Sequence, residues 1–247
     1  MLGMIRLRVE KDAPRTRLER TEILGDTAFL TAVLNLRGTD RLMDRIILRQ
    51  SLRFLAMRGV SAVAAPEDPH INAMLLRYNI EKLEHWALMR AMGAQMLDRL
   101  LRREPDTAVL LYARRLDREV LDAAYHAARY YRMVMLDFGP RGEQVRRSLM
   151  DDMGAAVLLG QVGCGASRAA VLLFDPPPTG FRVRLRGATT VALCPEAASW
   201  ADFDDIRVEP GLWEPLEDTD REAVLSAVAS NNPRLSESLS IVSFIKK

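Results

Sequence analysis

Only two cysteines, Cys164 and Cys194, occur in 247 residues, and neither stands in a CxxC pair or at metal-like spacing from the three histidines. A disulfide framework and a structural zinc site are therefore not what holds this chain together. No apolar run approaches the ~20 residues that a spanning helix needs. The N-terminal MLGMIRLRVE alternates charged with aliphatic residues, where a leader would carry an apolar stretch. Charge of either sign is not in excess either: the formal net value is +2, and no basic cluster marks one face. Neither nucleic acid nor membrane is an expected partner, and reduced thiols fit a cytoplasmic location. Lysine is scarce, with only Lys11, Lys82, Lys246 and Lys247, so the basic residues are almost all arginine.

What is present is apolar content of 49%, enough to bury a real core as one large domain or two smaller lobes. The clearest pattern runs from Arg102 to Gly165 and reads strand, helix, strand, helix, strand. Thr107 to Ala113 is a short aliphatic run suited to a strand covered on both faces. Asp117 stands where an N-cap belongs, since a short carboxylate accepts from the free N–H groups of a first helical turn. The helix that follows repeats Val120, Leu121, Ala124, Ala128 and Tyr131 at three- and four-residue steps. Arg132 to Asp137 is the next strand, Gly139 and Pro140 open another helix, Gly154 ends it, and Ala155 to Gly160 gives a third strand. Strands separated by single helices run parallel with right-handed crossovers.

The first part of the chain repeats this logic. Met4 to Glu10 alternates as a half-buried strand, and Arg17 to Leu24 reads as a second strand, pairing with the first as an edge hairpin. Asp26 to Leu36 is a stronger strand, followed by Arg37, Gly38 and Thr39, with Thr39 as the expected cap of a helix from Asp40 to Arg58. Val60 to Ala65 is a strand, and Asp68 with Pro69 starts a short helix to Tyr78, with Asn79 as a left-handed cap. Ile80 to Leu83 suggests a brief strand before a helix from Glu84 to Arg103, with Trp86, Met89, Gly93, Met96 and Leu100 as its buried stripe. Beyond Gly160, the runs Ala169 to Phe174, Phe181 to Arg186 and Thr189 to Leu193 have no room for helices between them and read as antiparallel additions. Ala201 to Asp220 reads mostly as loop, Thr219 caps a helix to Ala229, and LSIVSFIKK is a docked helix or an edge strand.

The expected fold class is α/β: a doubly wound, mainly parallel sheet, Rossmann-like, with two βαβαβ halves in strand order 3-2-1-4-5-6. An N-terminal hairpin and added antiparallel strands in the C-terminal third complete it. By residue, 1–25 is the N-terminal hairpin, 26–103 the first α/β half, 104–195 the second half with its added strands, and 196–247 the acidic loop and C-terminal helical segment. Two separate lobes hinged near Arg103 to Asp106 are the alternative.

In such a sheet a ligand sits at the carboxyl ends of the strands where their order reverses, here between the strands ending at Leu36 and Ala113. That singles out Arg37, Gly38, Thr39, Arg114 and Arg115 as a place for a phosphate or carboxylate. Glu67 joins them, because an acid just past the second strand often meets ribose hydroxyls in nucleotide-binding folds. Against this, the loop has one glycine where a dinucleotide fingerprint needs three, and Gly38 and Thr39 also make an ordinary turn and cap. Asp68 serves equally as the N-cap before Pro69. Gly139, Pro140, Arg141 and Gly142 read as strand-to-helix punctuation. Gly160, Gly163 and Gly165 lack the following helix that a phosphate loop requires. Asp202, Asp204 and Asp205 lack calcium-loop spacing and read as an exposed acidic stretch. Cys164 is the one candidate nucleophile, with nothing nearby to lower its pKa, and His70, His85 and His126 read as surface or boundary residues. No metal site is expected and no cofactor, catalytic residue or reaction is named. A small anionic ligand, a nucleotide or phosphorylated metabolite, is the expected partner. The alternative is a non-catalytic scaffold or regulatory module that self-associates or binds a partner through its C-terminal segment.

Overall fold

The structure, a computed structural model, describes residues 1–10, 12, 14–101, 107–161, 166, 168–185, 187–209, 218–231 and 239–246. The chain divides into two compact units, Met1–Leu88 with Leu212–Leu235 and Met89–Gly211 with Ser236–Lys247. The first runs β1 Leu2–Val9, β2 Thr16–Leu24, β3 Thr27–Leu36, α1 Leu42–Met57, β4 Ala62–Ala64, α2 Pro69–Arg77 and β5 Glu81–Lys82. Helix α3, Trp86–Ala91, leads into α4 Gly93–Leu101, β6 Thr107–Tyr112, α5 Arg118–Tyr130, β7 Met133–Asp137, α6 Gly142–Met153, β8 Val157–Leu159, β9 Arg168–Leu173, β10 Ala188–Ala192 and β11 Asp205–Glu209. Then α7 Arg221–Asn231 returns to the first unit, and β12 Ser240–Ile245 to the second. The fold is α/β and mainly parallel, of Rossmann-like type, with antiparallel strands added. The strands do not form one continuous sheet in the order 3-2-1-4-5-6; they build two five-stranded sheets. The residues 103–106, where a hinge was expected, lie outside those described, as do Gly163, Cys164 and Gly165.

In the first sheet the order is β2-β3-β1-β4-β5, with β2 antiparallel to β3 and the rest parallel. The hairpin therefore joins β2 to β3 rather than to β1, and β1 lies at the centre of the sheet. Its residues show why: Gly3, Met4 and Ile5 are all buried. Ile5 packs with Leu34, Leu48, Leu52 and Ile71 beneath α1 and α2, while Met4 packs with Phe29, Val224 and Val228 beneath α7. A strand with apolar residues on both faces belongs inside a sheet, not at its edge. Gly3 permits this packing, because a Cβ there would lie 2.8 Å from methyl groups of both Val60 and Val63.

The second sheet has the order β10-β9-β6-β7-β8, all parallel. Ala169 to Phe174 and Thr189 to Leu193 thus contribute parallel strands, not antiparallel ones, and residues 181–185 form no strand. The antiparallel addition is the ribbon β11–β12, which settles LSIVSFIKK as a strand and puts a strand inside the stretch expected to be loop. Strand β6 is buried along its whole length. Asp117 caps α5, accepting from the Val120 N–H at 3.0 Å, and Val120, Ala123, Ala124, Ala127 and Ala128 form its buried stripe. Gly154 ends α6 in the left-handed conformation at φ 63°. The single helix expected from Glu84 to Arg103 is broken between α3 and α4. Met89, Gly93 and Met96 are buried as expected, whereas Trp86 and Leu100 are only half-buried and Met92, Leu97 and Leu101 are buried in addition. Gly93 begins α4 where a Cβ would meet the Phe174 ring at 3.2 Å, so the missing side chain lets the helix approach β9.

Candidate functional site

At the carboxyl edge of the first sheet, the loop after β3 meets the loop after β4. Thr39 does not cap α1: the cap position is Arg41, which makes no side-chain cap bond. Thr39 instead donates from Oγ1 to Asp68 Oδ2 at 2.7 Å. Asp68 caps α2 with its other oxygen, accepting from the N–H groups of His70 and Ile71 at 2.8 and 3.1 Å. Burial works to raise the Asp68 pKa, but these three donors outweigh it and hold the carboxyl below its ordinary value. The Arg37 N–H donates to Asp44 Oδ2 at 3.1 Å, and Arg15 pairs with the other oxygen of this fully buried carboxylate. Glu67 pairs with Lys82 and accepts from Asn72 Nδ2 at 3.3 Å. Arg37, Gly38, Thr39 and Glu67 therefore do gather at one sheet edge, with much of their hydrogen-bonding capacity committed to joining the two loops.

Arg114 and Arg115 belong to the other sheet, so the single crevice expected between the strands ending at Leu36 and Ala113 is not formed by neighbouring strands. Strand order reverses in each sheet, around β1 in the first and between β6 and β9 in the second. From β6 the chain proceeds outward through β7 to β8, then returns to place β9 on the opposite side of β6. Adjacent loops that leave in opposite directions at the carboxyl ends of β6 and β9 mark where such folds place a ligand crevice. Arg114 and Arg115 follow β6, and Asp175 follows β9.

The crevice is tightly organised. Asp175 Oδ2 accepts from both backbone N–H groups, of Arg114 at 2.7 Å and of Arg115 at 3.0 Å. Arg114 donates from Nε to the Tyr112 hydroxyl at 3.1 Å, which raises its pKa and fixes the side chain. The Arg115 guanidinium is exposed and makes no hydrogen bond or ion pair among the described residues. Arg90 ties the end of β9 to the start of α5, bonding the Phe174 carbonyl and Asp117 while lying 5.3 Å over the Phe174 ring. Phe181 packs its ring 5.3 Å from that of Tyr112. Beside Tyr112 in register, Asp137 ends β7, and burial raises its pKa above the ordinary carboxylate value. Its side chain has no partner among the described residues.

Asp175, Tyr112 and Asp137 were not legible as site residues. Each directly ends or follows a buried strand, but Asp175 points to a crevice only once β9 is known to run parallel beside β6. Cys194, past the end of β10, is buried and its thiol is pushed up to about 11, by burial first and then by neighbouring carboxylates, so it stays protonated and unreactive. Of the three acidic residues read as an exposed stretch, Asp202 is exposed and the other two are not. Asp204 and Asp205 are buried, Asp202 accepts from the Thr190 N–H at 2.8 Å, and Asp204 pairs with Lys246. No group of three or more metal-ligating side chains occurs among the described residues. His126, a boundary residue, bonds Asp98 at 2.9 Å, and Tyr131 donates to the same carboxylate. No described helix is long and apolar enough to cross a membrane.

No protein-family model and no curated protein matches this sequence. Among solved structures, the chain is similar to L-tryptophan dehydrogenase from Nostoc punctiforme, at 11% identity and a TM-score of 0.33, over 68% of this chain and 51% of that one. It is also similar to aspartate transcarbamoylase from Trypanosoma cruzi. In its complex with aspartate and phosphate, that enzyme is 14% identical with a TM-score of 0.28, over 67% of this chain and 62% of that one. In its complex with N-(phosphonacetyl)-L-aspartic acid the values are 12% and 0.29, over 67% and 62%. The chain thus spans less than two thirds of the length of each. Scores this low leave the reading of the site to its own geometry.

Proposed function

We propose that this chain binds a small anionic ligand, a nucleotide or phosphorylated metabolite, at the carboxyl ends of the strands of the second sheet, with Arg114 and Arg115 as its cationic side chains. The observation that carries the reading is the reversal of strand order between β6 and β9, directly beneath two exposed arginines, one of which has no partner among the described residues. Guanidinium groups at such a crevice match the planar oxygens of phosphate or carboxylate. Asp175 answers the loop N–H groups from within, so recognition falls to the side chains. The carboxylates of Asp175 and Asp137 favour a ligand whose anionic group is accompanied by a hydroxyl or amine. Arg37, Gly38, Thr39 and Glu67 form the corresponding edge of the first sheet and are a second place for the same ligand class.

The test is a melting-temperature screen of the whole chain with inorganic phosphate, nucleotides, dinucleotides and sugar phosphates, since a ligand that binds only the folded state raises its stability. A saturable rise that disappears in Arg114→Ala and Arg115→Ala but persists in Arg37→Ala supports the second sheet. A rise lost only in Arg37→Ala moves the site to the first, and no rise with any of them overturns the proposal. The scaffold reading has one observation in its favour: Val242 and Ile245 remain exposed on β12. Sedimentation showing self-association that Val242→Asp abolishes, together with no ligand response, would establish it in place of the first.

A further inference from the structure

A second cavity opens between α5 and α6, and its chemistry differs from that of the crevice at Asp175. About 330 Å³ in volume, it is lined by Leu116, Leu121, Tyr125, Arg141, Gln144, Val145 and Ser148. The size lies at the lower end of the range for small-molecule sites. The sequence pattern produces it. Leu121 and Tyr125 are four residues apart on α5, as are Gln144 and Ser148 on α6, so each pair lines one wall. Leu121 belongs to the apolar periodicity of α5, yet the buried stripe of that helix passes through the alanines beside it and leaves Leu121 half-exposed in the cavity.

The polar groups are what make this more than a gap between helices. Arg141, Gln144 and Ser148 have side chains with no hydrogen bond or ion pair among the described residues. The nearby charged groups of α6 are matched elsewhere: Glu143 is held by Arg146 and Arg147. Arg141 is therefore the unneutralised charge of the cavity, whose apolar lining is Leu116, Leu121 and Val145. The Tyr125 ring forms a wall, its hydroxyl directed to Asp152 at 3.1 Å.

An apolar lining with one cation and two neutral hydrogen-bonding groups selects an amphipathic monoanion. A phosphate or a nucleotide's polyphosphate would leave the apolar lining unused, whereas a neutral hydrocarbon would leave Arg141 unused. We propose that the α5–α6 cavity binds a small carboxylic acid with an aliphatic or aromatic body, the carboxylate on Arg141 with Gln144 and Ser148 as further donors, and the body against Leu116, Leu121 and Val145. Its lining includes none of Arg114, Arg115 and Asp175, so the assignment does not depend on that reading.

The probes are hexanoate and benzoate, with acetate and inorganic phosphate as controls, titrated into the whole chain by calorimetry and by amide chemical shifts. Hexanoate and benzoate saturate and shift residues of α5 and α6, while acetate binds at least about tenfold more weakly for lack of an apolar body. Arg141→Gln, at an exposed position that does not threaten folding, weakens hexanoate roughly tenfold, the scale of one hydrogen-bonded charge. Ser148→Phe fills the cavity and abolishes binding, and Arg115→Ala leaves it unchanged. Equal affinity for acetate and hexanoate, an unchanged affinity in Arg141→Gln, or loss of hexanoate binding in Arg115→Ala would each overturn the assignment. Shifts confined to residues outside α5 and α6 would do the same.

Discussion

Asp175 offers a perturbation in which stability and ligand affinity should move in opposite directions. One carboxylate oxygen receives both loop amides, of Arg114 and Arg115. Asp175→Asn can present a neutral carbonyl oxygen in the same position and keep both bonds, so it removes charge without removing the acceptor. Asp175→Ala removes both. A bond to a charged acceptor contributes about 1.5–3 kcal/mol and a neutral one about 0.5–1.5 kcal/mol. These amides are near water, which replaces part of the loss, so the low ends apply. The expectation for the two bonds is a loss of about 2 kcal/mol for Asn and about 3 kcal/mol for Ala, read as a fall in the urea midpoint at constant slope, together with faster amide exchange at residues 114 and 115. For an anion held about 5 Å from the removed charge, Coulomb's law gives about 0.8 kcal/mol in a water-like medium and about 3 kcal/mol at an effective dielectric of 20. An open crevice belongs near the lower value, so phosphate or nucleotide affinity should rise by roughly fivefold in Asp175→Asn. Calorimetric titration measures this directly. If Ala and Asn are equally stable and the anion binds no tighter to either, Asp175 neither holds the loop nor shapes the charge of the crevice, and the proposed site loses its physical basis.

Three further outcomes follow from the geometry. Asp68→Ala removes a two-amide cap and the Thr39 bond and should cost about 1 kcal/mol. Because the folded pKa of Asp68 is depressed, its contribution is full above the ordinary carboxylate value near 3.8 and is lost as pH falls through the folded value, so wild type and Asp68→Ala should converge in stability only in strong acid. Cys194, with its thiol raised to about 11, should resist Ellman's reagent at pH 7.5 in the native protein; rapid native labelling that maps to Cys194 would contradict its burial. Gly3→Ala should destabilise by about 1–3 kcal/mol, measured by denaturant unfolding, since the new methyl group meets two valines in a packed core.

The sequence carried local structure well and long-range pairing poorly. Asp117, Asp68, Asn79 and Gly154 were all legible as caps, because a cap is decided by one residue and the turn beside it. Which strand lies next to which was not, because periodicity reports how many faces are buried but not by what. The alternation of Ile5 and Leu7 with Arg6 and Arg8 suggested a strand with one wet face. In the structure Arg6 is drawn in by Asp218, at 2.7 Å and far along the chain, which no local pattern encodes. Thr39 was assigned to the helix beside it, whereas its hydroxyl is taken by Asp68 from the next loop. Arg114 and Arg115 were singled out by the rule that ligands gather where strand order reverses, and they follow β6, beside the reversal between β6 and β9. Asp175 stayed hidden because short connections around β9 suggest antiparallel pairing.

The first unit begins with β1 and is finished by α7, whose Val224 and Val228 cover Met4 and Phe29. During synthesis, then, the strand at the heart of this sheet emerges well before the helix that covers it and waits with part of its apolar cover still untranslated. Contacts this distant in sequence are slow to form, so the uncovered sheet is exposed to chaperones and to aggregation while it waits. Any gene fragment that stops short of residue 221 would deliver the sheet without its second layer.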